Sequence, residues 1–344
     1  MAKKKSACVV DHAFHMKTRS FDFIREFLQK EYDLKNYWDY SWDGGERPSI
    51  DVINNYQTVF FFQKILPIEI LKKIKAAIVW IPMYDGMSFD DVYWYKLSCI
   101  PIKIICFCKV VYEHVSRFGI DAVYVKHYKN PEEYPQVDDY ATRRVFFWHR
   151  GNISLESVKK VLDGNKIDSF DILQAADPNY DEVVIDKESR KKYNICLHAN
   201  FLSRKEYLSI VARNNIFISP RSKEGMGMTF LEAIAMGHCI IANADATMNE
   251  YIQHGKNGFL FDANNPAKID LTHFEGLAQQ SRKDCKKGWD NWNRDIERII
   301  SFLNTEHYKC RKESIVFCII AWLHLKPRFK RYLHKALNIV RWQL

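Results

Sequence analysis

The sequence predicts an α/β protein made of two doubly wound, Rossmann-like halves that face each other across a cleft. Three observations carry this. Short, continuously apolar runs alternate with helix-spaced segments in both halves, the pattern of parallel strands covered on both faces by helices. The alternation stops between 129 and 144, where Pro131, Pro135 and the acids Glu132, Glu133, Asp138 and Asp139 gather, and then restarts. At 344 residues, 47% of them hydrophobic, the chain can form two cores of ordinary size.

In the first half, Ala7–Asp11 reads as a strand. Phe21, Ile24, Phe27 and Leu28 then recur at helical spacing within Ser20–Lys30. Thr58–Phe62 is a strand, Pro67–Ile74 a short helix opened by proline, and Ala76–Ile81 a strand stopped by Pro82. Ile102–Cys108 is the next strand. The helix Val110–Phe118 ends at Gly119, and Ala122–Val125 closes the set. In the second half the strands are Val145–Trp148, Phe170–Leu173, Ile195–His198 and Ile216–Ser219, with helices at Leu155–Leu162 and Arg204–Val211. The expected organisation is a first domain over 1–130, a linker over 131–144, a second domain over 145–304 and a basic tail over 305–344.

The stretch from Ile216 to Asp262 organises the rest. A strand ends at Pro220, Glu224 lies on the following loop, and Gly225 and Gly227 bracket Met226. Met228–Met236 has helical spacing and stops at Gly237, and Ile240–Ala242 begins another strand. A strand, a glycine-bearing loop and a helix N-terminus form a natural seat for phosphate, because free N–H groups and the helix dipole point out of the corner. Seven residues separate Glu224 from Glu232. One carboxylate sits on the loop and one in the helix, and both are acceptor-only partners for sugar or ribose hydroxyls. The spacing therefore suits a sugar–pyrophosphate–ribose ligand.

Within this stretch, EGMGMTFLEAIAMGHCIIA resembles the paired-glutamate region of the retaining GT-B glycosyltransferases of the group-one family (family four). NEYIQHGKNGFLFD resembles that family's closing segment. The resemblance covers the second half well and the first half loosely. It implies a GT-B fold, a nucleoside-diphosphate-sugar donor, transfer with retention, and neither metal nor resident cofactor. It implies that Glu224 holds the donor hexose and Glu232 the ribose, with Gly225, Gly227, Met228 and Thr229 around the sugar and phosphates. Arg150 corresponds to the family's diphosphate-binding arginine, although the glycine expected before it is His149 and no lysine follows in 152–157. Arg221 or Lys223 is a candidate to supply that charge, and Thr247 lies on a loop expected to meet phosphate. Glu250 matches a family glutamate whose role is either helix capping or ligand contact.

In the first domain the loops after strands should hold the acceptor. His12 and His15 follow the first strand, where the family often has a glycine-rich loop that this chain lacks. Asp85 is the candidate catalytic group beside the donor sugar, with Glu224. The acceptor is expected to be a glycan or lipid-linked sugar of bacterial surface-polysaccharide assembly (O-antigen, capsule or lipopolysaccharide). Two other readings stay open: a GT-B protein that isomerises or hydrolyses a sugar nucleotide, and a non-catalytic membrane-associated scaffold.

The nine cysteines show no metal-like pairing and read as free thiols of a reducing cytoplasm. No secretory leader or spanning segment is expected. The net charge of +9 is concentrated in the tail, where nine Lys/Arg face two Glu after 305. No nucleic-acid recognition motif accompanies it, so no nucleic-acid partner is expected. Phe329, Tyr332, Leu333, Ala336, Leu337 and Val340 form an apolar stripe, flanked by Lys330, Arg331 and Lys335 and ended by Trp342. This basic amphipathic helix suits an anionic membrane face, placing the protein at the inner surface of the cytoplasmic membrane.

If so, co-sedimentation with vesicles requires anionic lipid and weakens steeply with salt, since each Lys or Arg near the surface contributes about 1 kcal/mol. Exchanging Lys330, Arg331 and Lys335 for Gln lowers binding and leaves the melting temperature unchanged. Indifference to anionic vesicles at low salt removes the membrane from the picture.

Overall fold

The structure, a computed structural model, describes residues 4–150, 152–174, 184–199 and 202–305. The tail residues Lys330, Arg331, Lys335 and Trp342 lie outside the described residues.

The first half runs β1 (Lys5–His12), α1 (His15–Thr18), α2 (Asp22–Glu31), β2 (Tyr32–Asp39), α3 (Ile50–Ile53), β3 (Thr58–Phe62), α4 (Ile68–Leu71), β4 (Ala77–Ile81), α5 (Asp91–Ser98), β5 (Ile102–Cys106), α6 (Lys109–Arg117) and β6 (Asp121–Tyr124). Its sheet is parallel throughout, in the order β2-β1-β3-β4-β5-β6. The second half runs β7 (Arg144–His149), α7 (Leu155–Leu162), β8 (Ser169–Gln174), α8 (Lys187–Lys192), β9 (Ile195–His198), α9 (Arg204–Ala212), β10 (Ile216–Ile218), α10 (Met228–Met236), β11 (Cys239–Asn243), β12 (Phe259–Phe261) and α11 (Phe274–Asn304). Its sheet is also all parallel, in the order β12-β11-β10-β7-β8-β9. The strand order reverses between β1 and β3 in one sheet and between β7 and β10 in the other. In doubly wound sheets these switch points are where ligands bind, beyond the carboxyl ends of the strands.

The expected strands and helices form for the reasons their patterns give. β3 and β5 are buried along their whole length, as strands covered on both faces must be. The helix expected over Pro67–Ile74 is only the single turn of α4. The strand expected over Ile102–Cys108 ends at Cys106, and Cys108 instead opens α6.

The largest element without a sequence forecast is α11, 31 residues long. Its buried face is Phe274, Ala278, Ser281, Cys285, Gly288, Trp292, Ile299 and Leu303. Ser281 and Gly288 dilute the apolar stripe, and Gly288 is required because a Cβ there would lie 2.5 Å from the Tyr128 ring. The helix packs on α10 and β11 and then reaches the first domain, where Trp292 meets Phe23, Phe27, Phe107 and His127. Its C-terminal carbonyls are capped by the buried Lys103 of β5, whose Nζ donates to Phe302 O at 2.8 Å and Thr305 O at 2.6 Å. A cation at a helix C-terminus meets both orphan carbonyls and the negative end of the dipole. One continuous apolar cluster runs through α2, α10 and α11 and joins both sheets, while separate clusters cover the outer face of each.

The stretch before β7 packs on the end of α10. Val137 N donates to Met236 O at 2.8 Å and the Tyr140 hydroxyl to Gly237 O at 2.7 Å. Glu250 ties the halves together, accepting from Lys109 N at 2.7 Å and from the Tyr124 hydroxyl. Its carboxylate lies at the N-terminus of α6 in the opposite domain.

Burial pushes His114, His127, His149 and His238 below the usual imidazole range, His238 to about 4. The folded state holds them neutral while the unfolded chain takes up protons below about pH 6.5, so stability present above that value is lost as the pH falls toward 4. His127 stacks on Phe23 at 3.9 Å, and neither ring nitrogen has a hydrogen-bond partner among the described residues. His127→Phe keeps the stacking and flattens the decline in denaturant stability between pH 7 and 5. An unchanged slope overturns this account.

Candidate functional site

The carboxyl edges of the two sheets enclose a cavity of about 460 Å³. Of the residues singled out in the sequence for donor or acceptor, all but Thr247, Lys223 and Glu250 line it.

From the second domain, Arg150 follows β7, and its guanidinium lies 4.8 Å from the centroid of the Trp148 ring. The chain leaving β10 brings Arg221, Glu224, Gly225 and Gly227 to the same wall. Glu224 is buried. Gly227 takes φ +69° at the start of α10, a left-handed conformation natural to glycine. No side chain caps this helix N-terminus, and Met228 and Thr229 line the cavity with it. Its first-turn N–H groups are thus not claimed by a capping side chain, and an anion can meet them.

Thr247 does not line the cavity. It is 1% exposed and stands behind the loop, its hydroxyl donating to the carbonyls of Glu224 at 2.9 Å and Gly225 at 3.0 Å. It shapes the loop and does not face the cleft. Lys223 is likewise absent from the lining; its Nζ lies 5.9 Å from the Tyr84 ring centroid.

Glu232 is buried at the base of α10's first turns, and its carboxylate is held bidentately by Arg204 at 2.7 and 2.8 Å. Arg204 opens α9 behind a capping box made by Ser203 and Glu206. Its position at the wall of the cavity fixes the second glutamate in an ion pair, a contact the sequence spacing did not reveal. Tyr207, one turn on, also lines the cavity, and its buried hydroxyl has no hydrogen-bond partner among the described residues.

From the first domain come His12 at the end of β1 and His15 after it, Gln63 and Lys64 after β3, and Met83 and Asp85 after β4. Asp11, 1% exposed, accepts from His15 Nδ1 at 2.6 Å and from Arg25. The bond to Asp11 requires a proton on His15 Nδ1, so the neutral form of the ring has Nε2 as its acceptor. His12 stacks on Trp42 at 4.9 Å, and burial, helped by Lys64 and His15, pushes its imidazole below the usual range. Asp85 faces Arg221 across the domain boundary at 3.4 Å. Burial pushes the Asp85 carboxyl up, against the pull of Arg221 and Arg150.

The two walls touch at Gly225. A Cβ there would lie 2.8 Å from Asp85 Oδ1 and 2.8 Å from Met83 Cβ. Among the described residues one group of potential metal ligands exists, Asp171, Cys196 and His198, none of which lines the cavity. The Asp171 carboxylate there is already bonded by Arg213 and Asn214. The seven cysteines of the described residues are free thiols, and no described helix is long and apolar enough to cross a membrane.

The Arg204–Glu232 pair can be measured directly. Arg204→Ala leaves a buried carboxylate unmatched, so the double-mutant cycle with Glu232→Gln should give a coupling of about 1–3 kcal/mol in urea melts. A coupling near zero means the pair does not hold the wall.

Comparison with known proteins follows this geometry. Residues 165–282, which contain both glutamates, match the family model described as glycosyl transferases group 1. No curated protein matches the chain in sequence. Among solved structures, the chain is similar to sucrose-phosphate synthase from Thermosynechococcus elongatus, with 11% identity, 87% of this chain and 98% of that one covered, and a TM-score of 0.62. It is similar to the Anabaena protein HepE in complex with UDP and glucose, with 10% identity, coverage of 86% and 99%, and a TM-score of 0.57. It is also similar to an α,α-trehalose-phosphate synthase (UDP-forming) from Burkholderia vietnamiensis, with 9% identity, coverage of 72% and 74%, and a TM-score of 0.50. With its two parallel six-stranded sheets, the chain has the GT-B fold of two Rossmann-like domains.

Proposed function

We propose that this chain is a glycosyltransferase that moves a sugar from a nucleoside-diphosphate sugar to a glycan or lipid-linked acceptor, with retention at the anomeric carbon, in the assembly of a surface polysaccharide. The observation that carries the reading is the opening of both switch points into one cavity, with Arg150 and the uncapped start of α10 on one wall and His12 and His15 on the other.

In this reading the diphosphate sits against the N-terminus of α10. Its developing charge is met by the N–H groups around Met228 and by Arg150, whose fixed orientation lowers the cost of charge separation as the glycosidic bond breaks. Neutralisation is assigned to these groups alone, with no resident metal or cofactor. Glu224 accepts hydroxyls of the donor sugar. Glu232 keeps lone pairs beyond those taken by Arg204, so it can still receive ribose hydroxyls while the arginine holds it still. Asp85, across the cleft, stands at the reacting centre. UDP is the first nucleotide to try, since UDP is bound in the similar HepE structure.

The first test is a thermal-shift panel of nucleotides and sugar nucleotides, where a ligand at 100 times its Kd stabilises by about 2.7 kcal/mol. Glu224→Gln should weaken donor use by about 1–3 kcal/mol. Arg150→Ala should weaken both turnover and nucleoside-diphosphate binding, and EDTA should leave turnover unchanged. Wild-type turnover in Glu224→Gln overturns the site. Donor consumption without transfer to any acceptor favours an isomerase or hydrolase instead.

The His15–Asp11 pair supports a second reading. A neutral imidazole with Nε2 free can take a proton from an acceptor hydroxyl, and direct displacement would then invert the anomeric carbon. The anomeric coupling of the first product, read by NMR before mutarotation, separates the two.

A further inference from the structure

The first-domain wall holds two exposed lysines, Lys17 at the end of α1 and Lys64 after β3. They flank the β1/β3 switch point, so they stand where a ligand of this sheet should bind. Among the described residues neither makes an ion pair or side-chain hydrogen bond. Of the acids around them, Asp11 is paired by Arg25 and His15 and Asp85 by Arg221, while Asp39 accepts from the Ser41 amide at 2.8 Å and keeps its charge on the Lys64 side. Thr18 and Ser20 line the same wall with their hydroxyls hydrogen-bonded to each other at 2.8 Å, which leaves one of the two protons to donate outward.

The chain is also bent to hold this arrangement. Arg19 takes φ +54° at the end of α1 and Gln63 φ +58° just before Lys64. Both are non-glycine residues in the left-handed region, a strained choice. Gln63 is held there by its own N–H to Ile81 O at 2.9 Å and by Trp80 Nε1 donating to its carbonyl at 3.0 Å.

We propose that Lys17 and Lys64, with Thr18 and Ser20, form a subsite for a phosphate group carried by the acceptor. The inference rests on the glycosyltransferase reading and adds the substrate class. The wall carries two lysines against the one unpaired carboxylate of Asp39, with a hydroxyl donor beside them, and it faces the donor site from the other side of the cavity. A phosphomonoester or the phosphate of a lipid carrier offers the same dianionic chemistry. A neutral glycan would leave the two lysines unmatched.

The test uses the full chain, with and without saturating UDP, titrated by calorimetry with glucose 6-phosphate, glucose and a polyprenyl phosphate in neutral detergent. The wild type should bind a phosphate-bearing probe in preference to glucose. Lys17→Ser with Lys64→Ser should weaken that binding by about ten- to hundredfold, the scale of charge-assisted bonds, with UDP affinity unchanged. Preference for glucose 6-phosphate points to a soluble sugar phosphate and preference for the polyprenyl compound to a lipid carrier; either supports the subsite. The proposal is overturned if neither probe outbinds glucose, if the double variant keeps the preference, or if it loses UDP, which would give the lysines to the donor. Circular dichroism confirms that the variant is folded. Failure of UDP to bind the wild type counts against the donor site; the phosphate arm without UDP still judges the lysines.

Discussion

The site depends on a contact at which no side chain is allowed. Gly225 meets Met83 and Asp85 so closely that any Cβ would collide with both. That approach sets the distance between the first-domain wall and the second-domain wall, and the surrounding contacts serve it. Thr247 holds the carbonyls on either side of the Glu224–Gly225 bond, Arg221 reaches across to Asp85, and Tyr84 donates to Asp245 at 3.0 Å. Glu250 then fixes the neighbouring segment to α6 and β6.

The parts of this design readable in the sequence are those where local pattern and tertiary outcome agree. Leu155–Leu162 and Met228–Met236 form with the bounds their periodicity gives, because each buries the stripe that the pattern displays, and Ile195–His198 forms with its expected bounds at the sheet edge, where only Ile195 is buried. Glu224, Gly227 and Arg150 were legible from strand-end positions and loop chemistry. β2 was missed because it is an edge strand with mixed, half-exposed residues, YDLKNYWD, and no clear alternation. α11 was missed because Ser281 and Gly288 interrupt its apolar face for reasons that lie in the opposing surface, the Tyr128 ring above all. Arg204 lies 28 residues before Glu232, and only the folded sheet brings the two together. The burial of Thr247 has the same origin: a loop residue's side chain can face a cavity or the loop behind it, and the sequence does not distinguish these.

Electrostatically the cavity is divided. On the second-domain wall the charges are matched, with Arg204 on Glu232 and Arg221 reaching Asp85 of the facing domain, which orders these side chains. On the opposite wall Asp11 is held behind the surface, Asp85 is paired, and Lys17 and Lys64 stand forward. The imbalance is local: it lies at one switch point of one sheet, while the chain's overall positive charge lies mainly in the tail.

The forces that hold the walls apart and together differ in kind. On the cleft side the domains meet through polar contacts, several of them partly exposed, and exposed ion pairs contribute little, typically about 0–1 kcal/mol each. On the far side the continuous apolar cluster through Trp292, with Lys103 capping the end of α11, joins the halves through buried apolar area, which stabilises the joint more than the polar contacts do. A perturbation of equal size therefore has unequal effects. Weakening Arg221–Asp85 widens the mouth while the molecule stays folded, whereas cutting into the Trp292 cluster loosens the joint on which the alignment of both walls rests. Fold-level likeness at about one residue in ten identical fixes this frame and no more. The chemistry rests on the few side chains that the Gly225 contact brings within reach of one another.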